Sequence, residues 1–274
     1  MYSGSTLNAY SGRVLGAHQK IDRVARRQLG RLLPSDSFPD IKAILNFEGN
    51  KGPDAIKRKS PAKDEPWHYL RPFDPTDTQL IRLIEDHYRK LVAALKAGDG
   101  VRSAFEAAWL AHAVVDGLTP AHHYPYEEKL VELSSGRSID DRTTIGKKLI
   151  MPGPNTSRRI HNNWLMWGPK GLFTTHAAFE AGVAVLIAPL KMRLSKLNAD
   201  KLADFDTHSL ADWFRGQAQD IANLEMYDRF YKSGWTIPLA RRVRKQLAPT
   251  LVQAVTLVWY GALREAGVAG AIEV

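Results

Sequence analysis

Apolar residues recur every three to four positions over most of this chain, which is the spacing of one helix face. The strict alternation of apolar and polar residues that indicates strands is scarce. The clearest helical stripe consists of Leu80, Leu83, Ile84, Tyr88, Leu91, Val92 and Leu95. The pattern therefore predicts an all-α fold.

Start and stop signals divide this pattern into several helices. They are predicted at about 13–33, 40–47, 77–96, 101–115, 172–197, 209–231 and 238–265. Either Thr76 or Asp77 is the expected N-cap of the third. The fourth is apolar nearly all round, so we expect it to be central, buried and next to the helix that begins at residue 172.

Two long stretches lack a clear helical pattern. Residues 48–75 are rich in Gly, Pro, Lys and Asp and predict one long ordered loop, a kind of segment that is usually functional. Residues 123–163 are polar and irregular and predict an insertion or lid. Because no repeat or linker divides the chain, we predict a single compact multi-helix domain over residues 1–274, with this insertion inside it.

The composition narrows the possible chemistry. The chain has 274 residues, 38 of them Lys or Arg and 29 Asp or Glu, so its net charge is +9 with histidine neutral. Cysteine is absent, which excludes disulfides, Cys-ligated zinc fingers, iron–sulfur clusters and cysteine nucleophiles. A metal site would have to use His, Asp and Glu.

The positive charge fits an anionic substrate or surface, or it serves solubility alone. It is concentrated at 137–159, where six basic residues face two acidic ones, and we expect this segment to contact an anionic membrane surface peripherally. The most apolar run, 181–190, is too short to span a membrane and contains Pro189. No signal-peptide pattern is visible either, so the sequence alone favours a cytoplasmic location.

A candidate metal site begins with His112 and Asp116 on the predicted buried helix. At spacing i, i+4 their side chains project from one face, about 40° apart in azimuth and about 6 Å apart along the axis. They could chelate a divalent cation, or they could simply share a hydrogen bond. A buried apolar helix favours the cation, because it would compensate both polar groups at once. His122 follows just past Pro120, where the chain can turn back over the same site.

A second pair repeats this spacing, since His176 and Glu180 are also i, i+4 on an apolar helix. His18 lies in the first predicted helix, and Asp54 and His68 bracket the long loop. Each of these three alone could be an ordinary polar residue. Together with the two pairs they supply enough ligands for more than one zinc ion.

At these residues the chain resembles the zinc-dependent phospholipase C superfamily, which also includes single-strand nucleases with a trinuclear zinc site. Four matches occur in the family's order along the chain. The first is His18 in the first helix, and the second is the motif Asp-x13-His, formed by Asp54 and His68. The third is the motif His-x3-Asp-x3-Pro-x-His, formed by His112, Asp116, Pro120 and His122, and the fourth is the motif His-x3-Glu, formed by His176 and Glu180. The resemblance covers nearly the whole chain and implies the compact all-α fold of that family.

The resemblance also implies three zinc sites. The first would use Asp54, His68, His112 and Asp116. The second would use His122, His176 and Glu180. The third would use His18 and share Asp116, and in the family it is completed by the amino group and carbonyl of an N-terminal Trp.

The chain departs from the family in several places. It begins Met-Tyr-Ser, and because 17 residues precede His18, loop entropy argues against the N-terminus as a substitute ligand. Glu48 and Asp22 are the nearest alternative carboxylates. We therefore predict two firmly held zinc ions and a third that is absent or easily lost.

The chain also differs from the family in an insertion of about 40 residues between His122 and His176. The family's choline-binding aromatic residues are replaced by Ala55 and Glu65, so the resemblance does not imply phosphatidylcholine as the substrate.

The expected function is zinc-dependent hydrolysis of phosphoric esters of the phospholipase C type, with metal-activated water attacking phosphorus. The resemblance implies that Asp54 orients or deprotonates this water. Glu180 favours the phospholipase form, because the nucleases more often carry Asp there. Single-strand nucleic acid is the alternative substrate, with Trp67, Tyr69, Tyr124 and Trp167 as candidates for base stacking. The alternative from a different class of function is a non-catalytic zinc-stabilised binding module. The sequence does not indicate the oligomeric state.

Overall fold

The computed structural model describes residues 1, 16–31, 37–48, 52–54, 68–134, 144–192 and 199–268. Within these ranges the regular elements are all helices, so the predicted all-α fold is confirmed. They are α1 (Ala17–Leu29), α2 (Ile41–Glu48), α3 (Gln79–Lys96), α4 (Gly100–Gly117), a 3-10 turn (Pro120–His123), α5 (Tyr126–Leu133), α6 (Ile145–Leu149), α7 (Thr156–Trp167), α8 (Leu172–Ile187), α9 (Ala199–Thr207), α10 (Leu210–Ala222), α11 (Met226–Ser233), α12 (Ile237–Arg242), a π-helical segment (Val243–Leu247) and α13 (Ala248–Glu265). No helix in the described ranges has the length and apolar character needed to cross a membrane.

Helix α4 lies at the centre of the fold, as predicted. Its sequence is apolar on almost every face, and it packs against α2, α3 and α13. The Asp99 side chain caps its first turn by accepting a hydrogen bond from the Arg102 backbone N–H at 2.9 Å. On the α13 side, the buried Trp259 indole donates to the Ala107 carbonyl at 3.0 Å. These contacts hold α4 rigidly, so the polar residues at its C-terminal end are held in place too.

The helices that carry the other candidate ligands pack around this centre. Helix α1 contacts α2, α4, α8 and α13, and helix α8 also contacts the π-helical segment and α7. Helices α4 and α8, predicted to be direct neighbours, make at most a minor contact, since their main contacts are with other elements. Helix α1 and the 3-10 turn instead lie against both of them.

Residues 123–163 are more regular than their sequence suggests. In the described part of this stretch the expected irregular structure is replaced by α5, α6 and α7. These helices have only 5 to 12 residues, which is shorter than most windows over which helical periodicity can be recognised. A small second core forms here from Tyr126, Leu130, Met151 and Met166.

Several predicted boundaries also need correction. The helix expected at 209–231 is two helices, because the backbone of Glu225 adopts a left-handed conformation with φ of 50°. Helix α9 was not predicted, and the C-terminal helix is interrupted by the π-helical segment. The N-cap of α3 is Thr78, while the Asp77 carboxylate accepts a hydrogen bond from the Arg71 backbone N–H at 2.9 Å.

Gly117 ends α4 directly after Asp116 and leaves no room for a side chain. A Cβ atom there would lie 2.6 Å from Leu80 Cδ2 and from Phe214 Cζ. We expect Gly117→Ala to lower the free energy of unfolding by about 1–3 kcal/mol, because the packed neighbours must move. Gly216→Ala in α10 is the control, since no atom would lie within 4 Å of its Cβ and helix propensity favours Ala. Chemical denaturation that ranked the two variants equally would contradict this.

Candidate metal centre

Asp116, in the last turn of α4, lies between two groups of histidine side chains. Its carboxylate is almost completely buried. One oxygen, Oδ2, lies 3.2 Å from His112 Nε2 on the same helix. The other, Oδ1, lies 3.2 Å from His18 Nε2 of α1 and 3.6 Å from His122 Nδ1. The two carboxylate oxygens therefore face different imidazoles, which is the arrangement that a bridging carboxylate requires.

Glu48, the last residue of α2, lies behind two of these imidazoles. The rings of His18 and His112 are stacked, with centroids 4.1 Å apart and planes inclined by 7°. His112 Nδ1 lies 3.0 Å from Glu48 Oε1, and His18 Nδ1 lies 3.8 Å from the same oxygen. Both rings thus turn Nδ1 towards Glu48 and Nε2 towards Asp116. A carboxylate that contacts the far nitrogen of a histidine is the usual outer support of a metal ligand.

A second group joins His122, His176 and Glu180. Glu180 Oε1 lies 2.8 Å from His122 Nε2 and 3.3 Å from His176 Nε2. The two rings are stacked with centroids 5.3 Å apart. His176 and Glu180 lie one turn apart on α8, so the predicted i, i+4 pair does project from one face.

The 3-10 turn after α4 directs His122 into this group. The His122 backbone N–H donates to the Thr119 carbonyl at 2.9 Å, and its Nδ1 lies 3.0 Å from the Asp116 carbonyl. The Leu70 backbone N–H donates to the His122 carbonyl at 3.1 Å and ties the long loop to the turn. Pro120 starts this turn and prevents α4 from continuing.

The loop residues Asp54 and His68 border the centre. Asp54 Oδ1 lies 3.8 Å from His112 Nε2, and its side chain is 20% exposed. Asp54, His112 and Asp116 are therefore brought together as predicted. The ring of His68 lies next to that of His122, with centroids 5.1 Å apart, and next to Tyr69. The positions Ala55, Glu65 and Trp67 lie outside the described residues.

Met1 also contacts the centre, which corrects the expectation that the N-terminus could not contribute. Its amino group contacts Asp116 Oδ1 and lies 3.1 Å from Glu180 Oε1, and its carbonyl oxygen lies 2.8 Å from His18 Nε2. Loop-closure entropy grows only slowly with loop length, so contacts with the buried Asp116 and the partly buried Glu180 can offset it. Asp22, the other alternative carboxylate, is buried near Glu48 but not among the grouped atoms.

The contacts of His112 and His122 restrict the protonation states of their rings. A neutral imidazole carries one N–H, so only one of its nitrogens can donate a hydrogen bond. In His122 both nitrogens face acceptors, the Asp116 carbonyl and the Glu180 carboxylate. In His112 both face carboxylates, Glu48 on one side and Asp116 on the other. Each ring needs either a second proton or a metal ion on its second nitrogen.

The pKa shifts separate these two possibilities. Burial and the nearby Met1 amino group lower the pKa of His122 to about 4, so a second proton is disfavoured there at neutral pH. For His112, burial is outweighed by Glu48, Asp116 and Asp54, which raise its pKa to about 10. The pKa of Asp116 is well below its usual range, because the Met1 amino group and His122 outweigh the effect of burial. The Asp116 carboxylate therefore stays ionised, as a metal ligand must.

The distances fit metal ligation. Ligands about 2.0–2.1 Å from a tetrahedral zinc ion lie about 3.4 Å from one another. The separations of 2.8 and 3.3 Å around Glu180 and of 3.2 Å around Asp116 are close to this value. Two sets of residues, His18–Glu48–His112 and His122–His176–Glu180, each contribute ligand atoms that lie within 4.8 Å of the others in the same set. Buried His and carboxylate clusters that could hold metal ions are thus present in the described part of the chain.

No model of a known protein family matches this chain, and no curated protein does either. The case for function therefore depends on the geometry of the centre itself.

Glu48, predicted as an alternative carboxylate near His18, does group with His18 and His112, and its closest contact is with His112 Nδ1. One contributor to the centre was missed in the sequence. Tyr126 was not considered, yet its ring lies 5.2 Å from that of His176 and is stacked on Tyr69. In the sequence, the available signal for Glu48 was its position directly after the predicted second helix, at the start of the long loop.

The remaining histidines have structural partners or lie at the surface. The buried His87 Nδ1 lies 2.6 Å from Glu106 Oε2, far along α4 from the centre. His123 contacts the Gly117 carbonyl through Nε2 at 2.8 Å, while His161 and His208 are exposed. The choice of His122 over its neighbour His123 agrees with the contacts observed.

Proposed function

We propose that this protein is a zinc-dependent hydrolase of phosphoric esters. The observation that carries the proposal is the position of Asp116, whose Oδ2 lies 3.2 Å from His112 Nε2 while its Oδ1 lies 3.2 Å from His18 Nε2 and 3.6 Å from His122 Nδ1. Adjacent divalent ions bridged by a carboxylate are typical of enzymes that cleave phosphoric esters. One ion would be held by Asp54, His112 and Asp116, with His68 as the further expected ligand.

A second ion would be held by His122, His176 and Glu180. A third would have His18 and Asp116 as side-chain ligands, together with the amino and carbonyl groups of Met1. When bound, such ions supply a water of lowered pKa and neutralise the phosphoryl oxygens.

Asp54 is suited to handle the proton of the attacking water. It is the most exposed carboxylate of the centre, so solvent and substrate can reach it. An ionised carboxylate there can accept a hydrogen bond from water and orient it towards phosphorus.

A cavity of about 540 Å³ next to His122 could receive the substrate. Tyr69 and Tyr126 form one wall with parallel rings, and Arg71, Gln79 and Arg82 are among its polar lining. This mixture of aromatic and polar side chains suits an ester that carries an organic group. The resemblance to the zinc-dependent phospholipase C superfamily favours a phospholipid ester. The stacked pair Tyr69–Tyr126 keeps single-strand nucleic acid as the second candidate.

Metal analysis and hydrolysis assays test this function together. We expect about two zinc ions per chain after dialysis and a third in excess zinc, because the third position has the fewest side-chain ligands. A strong chelator should abolish cleavage of bis(p-nitrophenyl) phosphate, and added zinc should restore it. Release of diacylglycerol from phospholipid or of nucleotides from single-stranded DNA then identifies the substrate class. If the protein bound zinc but hydrolysed neither bis(p-nitrophenyl) phosphate nor phospholipid nor single-stranded DNA, the non-catalytic binding module would be favoured.

A further inference from the structure

Exposed apolar side chains are concentrated on one part of the surface. In the described chain, half of the large apolar side chains that are exposed lie between residues 149 and 173. They are Leu149, Ile150, Ile160, Trp164, Leu165 and Phe173, here called the apolar surface. Ile160 is 65% and Trp164 is 64% exposed, which is unusual for side chains of this size. Contiguous exposed apolar area of this kind marks an interaction site.

Contacts through Trp167 connect four of these six residues. The Trp167 indole donates to the Leu149 carbonyl at 2.8 Å, and its ring lies 4.8 Å from that of Phe173. Trp167 also lines a shallow groove of about 680 Å³ together with Ile160 and Trp164. The ends of α6, α7 and α8 thus present one apolar face.

The segment that forms this apolar face carries charges of one sign only. Residues 144–174 contain five basic residues, Lys147, Lys148, Arg158, Arg159 and Lys170, and no Asp or Glu. The described side chains Lys147, Arg158, Arg159 and Lys170 are exposed. Arg159 lines the groove itself. Tryptophan and aliphatic side chains framed by Lys and Arg are the combination that inserts into the headgroup region of anionic membranes.

We propose that the apolar surface and its basic frame bind the surface of an anionic lipid bilayer. Charge complementarity favours this occupant over a second copy of the chain, because two surfaces with five positive charges each would repel one another. The earlier expectation of membrane contact depended on charge alone and included residues 137–143, which lie outside the described residues. The structure adds the exposed tryptophan and aliphatic side chains, which charge patterning could not reveal.

Helix α8 connects this surface to the metal centre. Phe173 lies on the apolar surface, and His176 follows three residues later on the same helix. Trp167 packs against the small core that contains Tyr126, whose ring contacts His176. A bilayer bound here would lie near the metal centre. The catalytic importance of that position rests on the proposed function, but the proposal that the surface binds a bilayer does not.

Vesicle co-sedimentation with chelator-treated protein tests the binding without requiring hydrolysis. We expect strong binding to phosphatidylcholine vesicles that contain phosphatidylglycerol, weak binding to pure phosphatidylcholine, and a decrease with salt. The Ile160→Ser/Trp164→Ser variant should bind at least about tenfold more weakly than the wild type, because apolar insertion is lost. The Arg158→Gln/Arg159→Gln variant should bind about 25-fold more weakly, from about 1 kcal/mol per basic residue near an anionic surface.

Matched controls carry the same changes elsewhere. Val101→Ser/Ile237→Ser removes two isolated exposed apolar side chains, and Arg89→Gln/Lys96→Gln removes two exposed charges on α3. Both controls should bind as the wild type does. Equal binding by all five proteins, or no preference for anionic vesicles, would overturn the proposal. Concentration-dependent dimerisation that disappears in Ile160→Ser/Trp164→Ser would assign the surface to a second copy instead and would also overturn it.

Discussion

Asp116→Asn is expected to remove zinc and phosphoesterase activity together. The carboxylate is buried and its two oxygens face His112 on one side and His18 and His122 on the other. Asn keeps the shape but replaces one acceptor oxygen with an amide donor and removes the negative charge. Because the charge would act on two ions at once, we expect zinc affinity to fall by at least about a hundredfold, above the range for changes outside the ligand shell. Titration with a competing chelator, beside an assay with bis(p-nitrophenyl) phosphate, measures both quantities.

The control for this variant is Asp86→Asn, at a partly exposed position on α3 where the carboxylate pairs with the exposed Arg89 and Lys90. It should keep zinc and activity. If Asp116→Asn kept its zinc and lost only activity, Asp116 would act on the reaction rather than bridge the ions. Retention of both would contradict the proposed centre.

Glu48→Gln is expected to weaken zinc binding by about 10- to 100-fold while the fold is retained. Glu48 Oε1 contacts His112 Nδ1 at 3.0 Å and lies 3.8 Å from His18 Nδ1, so it positions two ligands that come from different helices. A neutral amide supports these rings less well, because it removes the negative charge that stabilises the Nδ1–H group. Calorimetric zinc titration of the chelated protein provides the measurement.

Glu106→Gln is a matched control, since Glu106 is also fully buried and lies 2.6 Å from His87 Nδ1. Both variants remove a buried His–Glu charge interaction, so both should lose stability. Zinc affinity should fall only in Glu48→Gln. A merely structural role for Glu48 would lower the free energy of unfolding of the metal-free protein and leave zinc affinity unchanged.

The parts of the centre that lie within single helices could be predicted from the sequence. His112 and Asp116 are one turn apart on α4, as are His176 and Glu180 on α8, and helix geometry alone aligns their side chains. The end of α4 before Pro120 was equally local, because proline cannot continue a helix. Short helices escaped this kind of analysis, which is why α5, α6 and α7 were taken for irregular chain.

Contacts between distant parts of the chain could not be predicted in the same way. Nothing local indicates that Glu48 ends α2 behind the rings of two helices, or that Met1 lies against Asp116. Tyr126 likewise reaches His176 only because α5 and α8 pack together.

The sequence by itself determined that the protein is helical, that α4 is buried, and that histidine and carboxylate pairs project from apolar helices. These properties follow from periodicity and from side chains a single turn apart, so they need no knowledge of distant contacts. The tertiary structure decided how the pairs combine around Asp116, which carboxylate supports the imidazoles, and where apolar side chains stay exposed. Those outcomes depend on how helices pack, and packing is set by the joint fit of many side chains rather than by any local pattern.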